Sequence, residues 1–313
     1  MMVNGSNTEL VSIAMCTYNG GKYLAEQLNS LLNQTYYHTE IVIVDDASTD
    51  STINILHEYA GLHKNIKVFE NKKNIGYNKN FEKAIALCNG ELIAISDQDD
   101  IWETNKIELM MKQWPKDSSF VYSLSGNFTN DNFEAKTAAP KIVYTPVDDM
   151  HKLVFNSPVH GHACMFKKEF VKKCIPFPKD IFYDWWMSMF AAATGTIGCI
   201  PQTLTWHRVH ENNSSRNIVS IKDKESRNQQ LRQQCVYFIE TFCSKNSFKP
   251  QQNKSLFEYA AILKKMDGKN FSAAMFAYVI KNRKLIFHYK KPKPFIFASH
   301  LKHAFKMAYK GLL

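Results

Sequence analysis

The chain has 313 residues, of which 45% are hydrophobic and 22% charged, a composition typical of a globular protein with one large domain or one domain and an appendage. Its seven cysteines show no CxxC spacing, which argues against a zinc site or a disulfide framework and indicates reduced thiols in a cytosolic protein. The sequence has neither a run of about 18 apolar residues nor a basic N-terminal segment followed by an apolar core. We therefore expect no membrane span and no signal peptide.

Short apolar segments alternate with amphipathic segments in the first part of the chain. Segments that are apolar on both faces predict buried strands, and they are residues 11–15, 41–44, 66–69 and 92–95. Segments with apolar residues every three or four positions predict helices, and they are residues 24–32, 53–60 and 81–88. This order predicts an α/β fold, with a mostly parallel sheet, helices on both faces and right-handed crossovers.

Polar residues follow three of these strands at the point where each strand ends. They are Thr17, Tyr18 and Asn19 after the first strand, Asp45 and Asp46 after the second, and Asp97, Asp99 and Asp100 after the fourth. Because ligands bind beyond the carboxyl ends of parallel strands, we expect these groups to share one edge of the sheet. The alternative interpretation is a set of polar turns with helix-capping carboxylates, for Asp45 in particular.

The acidic segment, residues 96–100, places three carboxylates in four positions. Like charges this close raise one another's pKa unless a cation lies among them. If the backbone stays extended there, Asp97 and Asp99 point to one side and Asp100 to the other. Carboxylates that converge at a strand end suit a hard divalent cation with positions left for phosphate oxygens, so Mg²⁺ or Mn²⁺ is the expected cofactor.

The next part of the chain is less regular. We predict a helix at residues 107–114 and a strand at residues 120–124, and we expect residues 125–150 to form a loop or insertion because they lack periodicity. Neither GxGxxG nor GxxxxGK[ST] occurs anywhere in the sequence. This absence argues against a dinucleotide-dependent dehydrogenase and a P-loop NTPase.

Two polar motifs follow. The turn around Gly161 and His162 leads into an apolar strand; a glycine permits close approach of the backbone to a ligand, and the histidine is either a substrate contact or structural. Asp184 stands before Trp185, Trp186 and an apolar helical run. Without further context it is a helix N-cap, and the neighbouring rings would raise the pKa of its carboxyl group.

Residues 11–102 resemble the nucleotide-sugar-binding half of a family 2 glycosyltransferase of the GT-A fold. The resemblance rests on short motifs in one order, namely Thr17-Tyr18-Asn19, Gln34-Thr35, residues 44–50, Asn74-Ile75-Gly76 and the acidic segment as a DxD-type motif. It implies a Rossmann-like GT-A fold and the transfer, with inversion, of a sugar from a nucleotide diphospho-sugar. The Asp-Gln-Asp-Asp-Ile-Trp and Asp-Trp-Trp forms resemble bacterial rhamnosyltransferase-like enzymes of surface polysaccharide synthesis, such as capsule or O-antigen.

The resemblance also implies a role for each motif residue. Asp99 is expected to bind the cation, and Asp184 is expected to be the catalytic base toward the acceptor hydroxyl. The residues expected to bind the donor are Thr17, Tyr18, Asn19, Asp46, Asn74, Gly76, Asp97, Asp100, Gly161, His162 and Trp185. Arg208 or His210 is expected near the diphosphate, where positive charge stabilises the leaving group. A metal site at His207 and His210 is the alternative.

Two other functions stay compatible with the sequence. A sugar nucleotidyltransferase shares the sheet and the metal, but it normally has a glycine-rich loop with a basic residue, which residues 17–22 match only faintly. A non-catalytic carbohydrate-binding relative keeps the fold and loses the base, whereas Asp99 and Asp184 are both present here.

The end of the chain is basic. The net charge is +10, and no aspartate or glutamate follows Asp267, whereas lysines and arginines continue beside aromatic residues. Such a segment suits an anionic membrane surface, and the alternative is a packed helical cap with a solvated basic face. No nucleic-acid-binding motif accompanies the segment, so we expect no nucleic-acid partner.

We therefore predict a GT-A domain at residues 1–220 and a helical basic region at residues 221–313. Within the domain, residues 1–102 are the nucleotide-sugar-binding half and residues 103–220 the acceptor half. The expected donor is linked to UDP or dTDP, and the expected acceptor is a glycan or a lipid-linked glycan. The expected location is cytoplasmic and peripheral at the inner face of the cell membrane.

Overall fold

The computed structural model describes residues 9–129, 132–138, 145–155, 157–211, 224–245, 250–291 and 294–311. These residues divide into two compact units. The first unit runs to Val209 but omits Asp149–Pro158, which belongs to the second unit together with His210 and the residues after it. The predicted boundary between residues 220 and 221 lies outside the described residues.

Within these ranges, eight strands of the first unit form one sheet. They are β1 (Val11–Thr17), β2 (Thr39–Asp45), β3 (Ile66–Glu70), β4 (Leu92–Ser96), β5 (Ile101–Trp102), β6 (Phe120–Thr129), β7 (Cys164–Lys167) and β8 (Ile197–Val209). The helices up to β8 are α1 (Gly21–Leu32), α2 (Thr52–Leu62), α3 (Tyr77–Leu87), α4 (Lys106–Lys112), α5 (His151–Phe155), α6 (Lys168–Val171) and α7 (Tyr183–Thr194). Of these, α5 belongs to the second unit.

The strands lie in the order β3-β2-β1-β4-β7-β6-β8-β5. β3, β2, β1 and β4 are parallel to one another, and β6 is parallel to β8. β7 runs antiparallel to β4 and β6, and β5 runs antiparallel to β8. The predicted α/β fold with a mostly parallel sheet is confirmed.

Alternation of side chains along the strands explains why helices cover both faces of the sheet. Ile13 of β1 is in register with Ile41 of β2, and both belong to a buried cluster with Leu24 and Leu28 of α1. The residues between them face the other side of the sheet, because strand side chains alternate. On that side α3 packs against β1 and β2 with Phe81 buried.

β6 is longer than predicted, since it continues to Thr129 into the segment expected to be a loop. Its pairing with β8 shifts register on both sides of Leu124, and the extra residues lie on β8 between Ile200 and Thr205. The continuation of β6 therefore depends on pairing with a distant strand and not on its own local pattern. Farther along, Gly126 lies opposite Trp206, and a Cβ atom on this glycine would lie 2.4 Å from the indole ring. Only glycine therefore fits beneath that indole.

The acidic segment bends where an extended backbone was considered. β4 ends at Ser96, and the chain turns at Gln98 and Asp99 before β5 begins at Ile101. Because the backbone is not extended there, the three carboxylates of the acidic segment do not alternate in direction as they would along a strand.

The second unit is helical, as predicted for the C-terminal region. Besides α5 it contains α8 (Lys224–Lys245), α9 (Pro250–Lys265), α10 (Ala273–Lys281), α11 (Arg283–Ile286) and α12 (Ile296–Lys310). α8 packs against α9, and α10 packs against α12. A search of the described helices finds none with the length and apolar character needed to cross a bilayer.

Candidate active site

One aspartate ties the carboxyl ends of β1 and β2 together. Thr17 Oγ1 donates a hydrogen bond to Asp45 Oδ1 over 2.8 Å. Ser48 donates to the same carboxylate through its backbone nitrogen at 2.8 Å and through its hydroxyl at 2.6 Å. Asp45 therefore caps the turn after β2. Thr17 is buried and supports this cap. Its predicted contact with a donor stays a prediction.

Asp46 holds the loop that precedes α3. Its Oδ1 accepts hydrogen bonds from Asn71 Nδ2 at 2.8 Å and from the backbone of Ile75 at 2.9 Å, and its Oδ2 accepts one from the backbone of Gly76 at 2.9 Å. Gly76 has a φ of +85°, a conformation that favours glycine. Asn74 Oδ1 also accepts from the Gly76 nitrogen, at 3.1 Å. The structure thus brings three of the predicted donor-binding residues into one hydrogen-bonded loop.

Tyr18 and Asn19 lie on the same edge. The backbone nitrogen of Tyr18 donates to Gln98 Oε1 at 2.8 Å, and Gln98 Nε2 donates back to the Tyr18 carbonyl at 3.2 Å. Asn19 donates from its backbone to Ser48 Oγ at 2.9 Å and accepts from Thr49 at 2.8 Å. Gln98 therefore fastens the acidic segment to the end of β1, while the ring of Tyr18 is about half exposed.

Asp100 is fully buried and lies against two histidines. Its Oδ1 accepts hydrogen bonds from His207 Nδ1 at 3.0 Å and from the backbone of Arg208 at 3.1 Å. Its Oδ2 lies 3.2 Å from His162 Nδ1 without the geometry of a hydrogen bond, and it has no hydrogen-bond partner within the described residues. A buried carboxylate oxygen without a donor is destabilising, unless a ligand or cation meets it.

Asp100, His162 and His207 form the candidate metal cluster. Each offers one ligand atom, and these atoms lie within 4.8 Å of one another. Together with the unpartnered oxygen of Asp100, this set fits a divalent cation. One carboxylate and two imidazoles suit Mn²⁺ better than Mg²⁺, because Mg²⁺ is held almost entirely by oxygen ligands.

The other two carboxylates of the acidic segment are placed differently. Asp97 Oδ2 lies 3.4 Å from His162 Nδ1, so Asp97 and Asp100 approach the same imidazole. This corrects the expected alternation, which grouped Asp97 with Asp99; the bend in the segment is the reason. Asp99 is not a member of the cluster, and its assignment as a metal ligand stays a prediction.

Burial and charge act in opposite directions on the pKa values of the cluster. Burial would raise the pKa of Asp100, but the charge of His162 and the hydrogen bond from His207 outweigh it and lower the pKa. Burial would lower the pKa of His207, but its hydrogen bond to Asp100 and the nearby carboxylates raise the pKa to about 9. Without a cation, the protonated imidazole of His207 therefore balances the charge of the buried Asp100 carboxylate. A bound cation would displace the proton from this imidazole.

Lys106 is a fully buried cation beside this cluster. Its Nζ donates to the carbonyl of His162 at 2.6 Å and to Thr205 Oγ1 at 2.9 Å. The same nitrogen lies 3.3 Å from the centroid of the Trp102 ring, a favourable cation–π contact. Burial lowers the pKa of this lysine well below its usual value. Lys106 thus anchors the backbone that carries His162.

The turn of Gly161 and His162 also holds Asp184. This aspartate lies in the first turn of α7, where its Oδ2 accepts from the Gly161 nitrogen at 3.1 Å and its Oδ1 from the Trp185 nitrogen at 2.8 Å. The N-cap position belongs to Phe182, so Asp184 is not the N-cap that the alternative interpretation proposed. Burial raises the pKa of Asp184, although the two hydrogen bonds oppose the shift.

The surroundings of Asp184 explain the motif residues next to it. A Cβ atom on Gly161 would lie 2.2 Å from the hydroxyl of Tyr183, so the turn requires glycine. Trp186 is buried and donates from Nε1 to the Cys174 carbonyl at 2.8 Å. Trp185 is only partly buried, and its predicted contact with a sugar stays a prediction.

Asn78 positions the start of α7 and was not identified from the sequence. Its Nδ2 donates to the carbonyls of Pro178 and Ile181, each at 2.6 Å, and its Oδ1 accepts from the Tyr183 nitrogen at 3.2 Å. An asparagine in the first turn of a helix carries no sequence signal for such a role, because the partners lie about a hundred positions away.

Arg208 and His210, the two candidates for the diphosphate, are placed in different units. Arg208 is only 1% exposed, and its guanidinium binds Glu26 at 2.8 Å and the Asp99 carbonyl at 2.9 Å. The structure thus shows Arg208 bracing the back of the acidic segment, and its predicted contact with a diphosphate stays a prediction. His210 belongs to the second unit, and its predicted role stays a prediction.

Comparison with known proteins adds a family to this geometry. The family model described as glycosyl transferase family 2 matches residues 12–175, about half of the chain. An uncharacterized glycosyltransferase of Haemophilus influenzae is 24% identical over 253 residues, which cover 74% of this chain and 75% of that protein. The UDP-Glc:alpha-D-GlcNAc-diphosphoundecaprenol beta-1,3-glucosyltransferase WfgD of Escherichia coli is 34% identical over 137 residues. That match covers 43% of this chain and about half, 53%, of WfgD.

Two solved structures show similar folds. The complex of S. aureus TarS 1–349 with UDP-GlcNAc has a TM-score of 0.58 and 18% identity, covering 96% of this chain and 81% of that chain. The mannosyltransferase PcManGT from Pyrobaculum calidifontis, in complex with GDP-Man and Mn²⁺, has a TM-score of 0.56 and 18% identity, covering 97% and 81%. Together with the family match, these findings show that the chain belongs to glycosyl transferase family 2 and has the GT-A fold.

Proposed function

We propose that this protein is an inverting, cation-dependent glycosyltransferase that moves a sugar from a nucleotide diphospho-sugar to a hydroxyl group of an acceptor. One observation carries the proposal. The amide of Gly161 holds Asp184, and the adjacent His162 contacts Asp97 and Asp100. A single turn thus joins a carboxylate that can accept a proton to a cluster that can hold a cation. Displacement of a diphosphate from an anomeric carbon by a hydroxyl group is assisted by both.

The candidate metal cluster is the proposed cation site, with Asp99 as a further proposed ligand. When bound, the cation would act as Lewis acid and template for the departing diphosphate. We propose Mn²⁺ because two of the three cluster ligands are imidazoles. The likeness to PcManGT, whose complex contains Mn²⁺, supports this choice.

Asp184 is the proposed general base. As the acceptor oxygen forms its bond to the anomeric carbon, the bond from that carbon to the diphosphate oxygen breaks, and the hydroxyl proton passes to Asp184. Attack from the face opposite the leaving group inverts the configuration. The raised pKa of the carboxyl strengthens it as a base, and the amides of Gly161 and Trp185 fix its orientation.

We propose that the donor binds residues 1–102, beside Tyr18, Asn19 and the loop held by Asp46, and that residues 103–220 contact the acceptor. Their position at the strand ends next to the acidic segment supports this assignment. UDP and dTDP are the proposed nucleotides, with a hexose or deoxyhexose such as rhamnose as the sugar. The likeness to TarS, solved with UDP-GlcNAc, is consistent with a uridine nucleotide.

The proposed acceptor is a glycan or lipid-linked glycan of bacterial surface polysaccharide synthesis. The printed name of WfgD specifies a sugar on diphosphoundecaprenol, and the match to that protein supports an acceptor of the same chemical class. An acceptor in a membrane would place this enzyme in the cytoplasm, peripheral to the inner face of the cell membrane.

A panel of UDP-, dTDP- and GDP-sugars, tested with Mn²⁺ and a lipid-diphosphate-linked sugar, tests the proposal. We expect release of a free nucleoside diphosphate together with a glycosylated acceptor of inverted configuration. Pyrophosphate as the product would identify a nucleotidyltransferase instead. Donor binding without any product would identify a carbohydrate-binding relative, and either result would contradict the proposal.

A further inference from the structure

A group of basic side chains lies around α11 and along α12 in the second unit. We call this group the basic cluster, and its members are Arg283, Lys290, His300, His303 and Lys306. Lys290 Nζ lies 2.9 Å from His303 Nε2, and the charges of Lys290, Arg283 and His303 act on His300. Among the residues that the structure describes, no carboxylate forms an ion pair with a member of the cluster. The sequence agrees, since no acidic residue follows Asp267.

The contact between Lys290 and His303 has a defined direction. His303 Nδ1 lies 2.7 Å from the Ser299 carbonyl, so this nitrogen carries the proton and donates it. The other ring nitrogen then accepts from Lys290, and the positive charge stays on the lysine. Lys290 Nζ also lies 4.7 Å from the centroid of the Phe287 ring. An ammonium group has three donors, so these contacts leave it able to bind an anion.

His300 supplies a second, independent observation. It is only 8% exposed, its ring stacks on Phe287 with centroids 4.7 Å apart, and its Nε2 atom has no hydrogen-bond partner in the described part of the chain. Burial and the surrounding positive charges lower the pKa of this histidine. A buried polar atom without a partner, next to several cations without a counter-charge, indicates a site for an anion.

Solvent-exposed aromatic side chains lie next to this anion site. Phe295, directly before α12, is 89% exposed and has a φ of +59°, a strained conformation for a residue with a side chain. Phe297 is about half exposed and lies 5.5 Å from the Arg283 guanidinium. Farther along α12, one exposed face carries basic and aromatic residues in the spacing i, i+3, i+4, i+7, namely Lys302, Phe305, Lys306 and Tyr309.

We propose that this face of α11 and α12 docks the protein on an anionic phospholipid surface. Lipid phosphate groups meet the basic cluster, and the rings of Phe295 and Phe297 enter the headgroup region. A soluble anion would satisfy the cations but would leave the rings in water, whereas a bilayer surface meets both. The biological purpose rests on the proposed function, because a lipid-linked acceptor lies in that surface. The docking itself needs neither donor nor transfer.

Binding of the full-length protein to vesicles tests the proposal. One set of vesicles contains phosphatidylcholine alone, and the other contains phosphatidylcholine with phosphatidylglycerol. We expect the protein to sediment with the second set only, and added salt to weaken the binding because the lysines act through charge. Equal binding to both sets, or to neither, would overturn the proposal.

Two double variants separate the contributions. Phe295→Ser with Phe297→Ser should lower the vesicle partition coefficient roughly tenfold. Lys290→Gln with Lys306→Gln should lower it by about fivefold for each lysine. The matched control on α9, Lys254→Gln with Phe257→Ser, also removes an exposed lysine and an exposed phenylalanine, and it should bind as the wild type does. Variants of the cluster that bind like this control would contradict the proposal.

Further experiments identify the anion and control for misfolding of the variants. Inorganic phosphate or a single-stranded oligonucleotide, at a concentration matched in phosphate to the vesicles, should not displace the protein from the vesicles. If either one did, the basic cluster would bind that competitor and not a lipid surface. The single variant Phe295→Ser changes a fully solvated ring, so it keeps the test valid if a double variant unfolds. Vesicle binding without release of nucleoside diphosphate would refute the proposed transfer but not the docking. Release of nucleoside diphosphate without vesicle binding would refute the docking but not the transfer.

Discussion

The two halves of the sheet edge are built in opposite ways. At the ends of β1 and β2, the carboxylates of Asp45 and Asp46 accept hydrogen bonds from hydroxyl groups, backbone amides and a side-chain amide, and these bonds hold turns in place. Beside β7 and β8, Asp100 keeps a buried oxygen that has no hydrogen-bond partner among the described residues, and the buried Lys106 holds the backbone of His162 next to it. The carboxylates of the first half therefore stabilise the fold, whereas the Asp100 carboxylate of the second half has an oxygen left to bind a ligand. The predictions below test this difference.

The largest expected effect is the loss of the proposed base. Replacing Asp184 with Asn keeps the shape and removes the proton acceptor, so kcat should fall by about 10²- to 10⁴-fold. The KM for the donor should change little, because the carboxylate is bound by backbone amides and not by the donor. The matched control is Asp180→Asn, which neutralises an exposed aspartate just before α7. A variant Asp184→Asn with near-normal kcat would remove this residue from the mechanism.

Asp100→Asn should act on the cation and not on the fold. The variant keeps the volume of the side chain but removes the charge that faces His162 and His207. We expect the Mn²⁺ concentration for half-maximal activity to rise by about a hundredfold or more, because loss of a ligand should exceed the roughly 10- to 100-fold effect of residues that only orient ligands. Mn²⁺ should also raise the thermal midpoint of the wild type and leave that of the variant unchanged.

Asp45→Asn is the counterpart in the other half of the sheet edge. It disturbs hydrogen bonds from Thr17 and Ser48, so it should lower the free energy of unfolding by about 1–3 kcal/mol. Its Mn²⁺ dependence should match that of the wild type. If Asp45→Asn weakened the Mn²⁺ response as much as Asp100→Asn does, the two halves would not differ in the way described.

Lys106→Met tests a residue that positions the cluster without touching substrate. The change removes the donor to the His162 carbonyl and should lower kcat/KM about 10- to 100-fold, the range seen for residues that orient metal ligands. The Mn²⁺ requirement should rise with it, which loss of stability alone would not cause. Lys168→Met is the matched control, because Lys168 donates to the Cys88 carbonyl at 2.6 Å, away from the cluster.

These residues show where prediction from the sequence ends. The order of strands and helices follows from local patterns. Asp46 and Asp184 follow from motifs, because Asp46 comes directly after an apolar strand and Asp184 directly before an apolar helical run. The cluster does not, since Asp100, His162 and His207 come from three distant segments that only the pairing of β7 and β8 with the rest of the sheet brings together. His207 was grouped with His210 by nearness in sequence, which is a poor guide to neighbours across a sheet.

The pH profile of transfer should show the raised pKa of Asp184. Only the ionised carboxylate accepts a proton, so kcat should fall about tenfold per pH unit below that pKa, which lies above the usual value of about 3.9 for aspartate. Stability should respond in the opposite direction. The folded state holds the proton more tightly than the unfolded chain, so its contribution is lost as pH rises from the usual value through the raised one. The residual activity of Asp184→Asn should lack this acid limb.

Asp46→Asn should have only a small effect on catalysis. An amide can accept through only one oxygen, so it loses at least one of the bonds to Asn71, Ile75 and Gly76. The loop should loosen, with a loss of about 1–3 kcal/mol in the free energy of unfolding, and the donor KM should rise severalfold because the loop lies beside the proposed donor site. Neither kcat at saturating donor nor the Mn²⁺ requirement should change. A large fall in kcat with unchanged stability would instead make Asp46 a direct participant in the reaction. The division between a scaffolding half and a reactive half of the sheet edge would then fail at its best-defined residue.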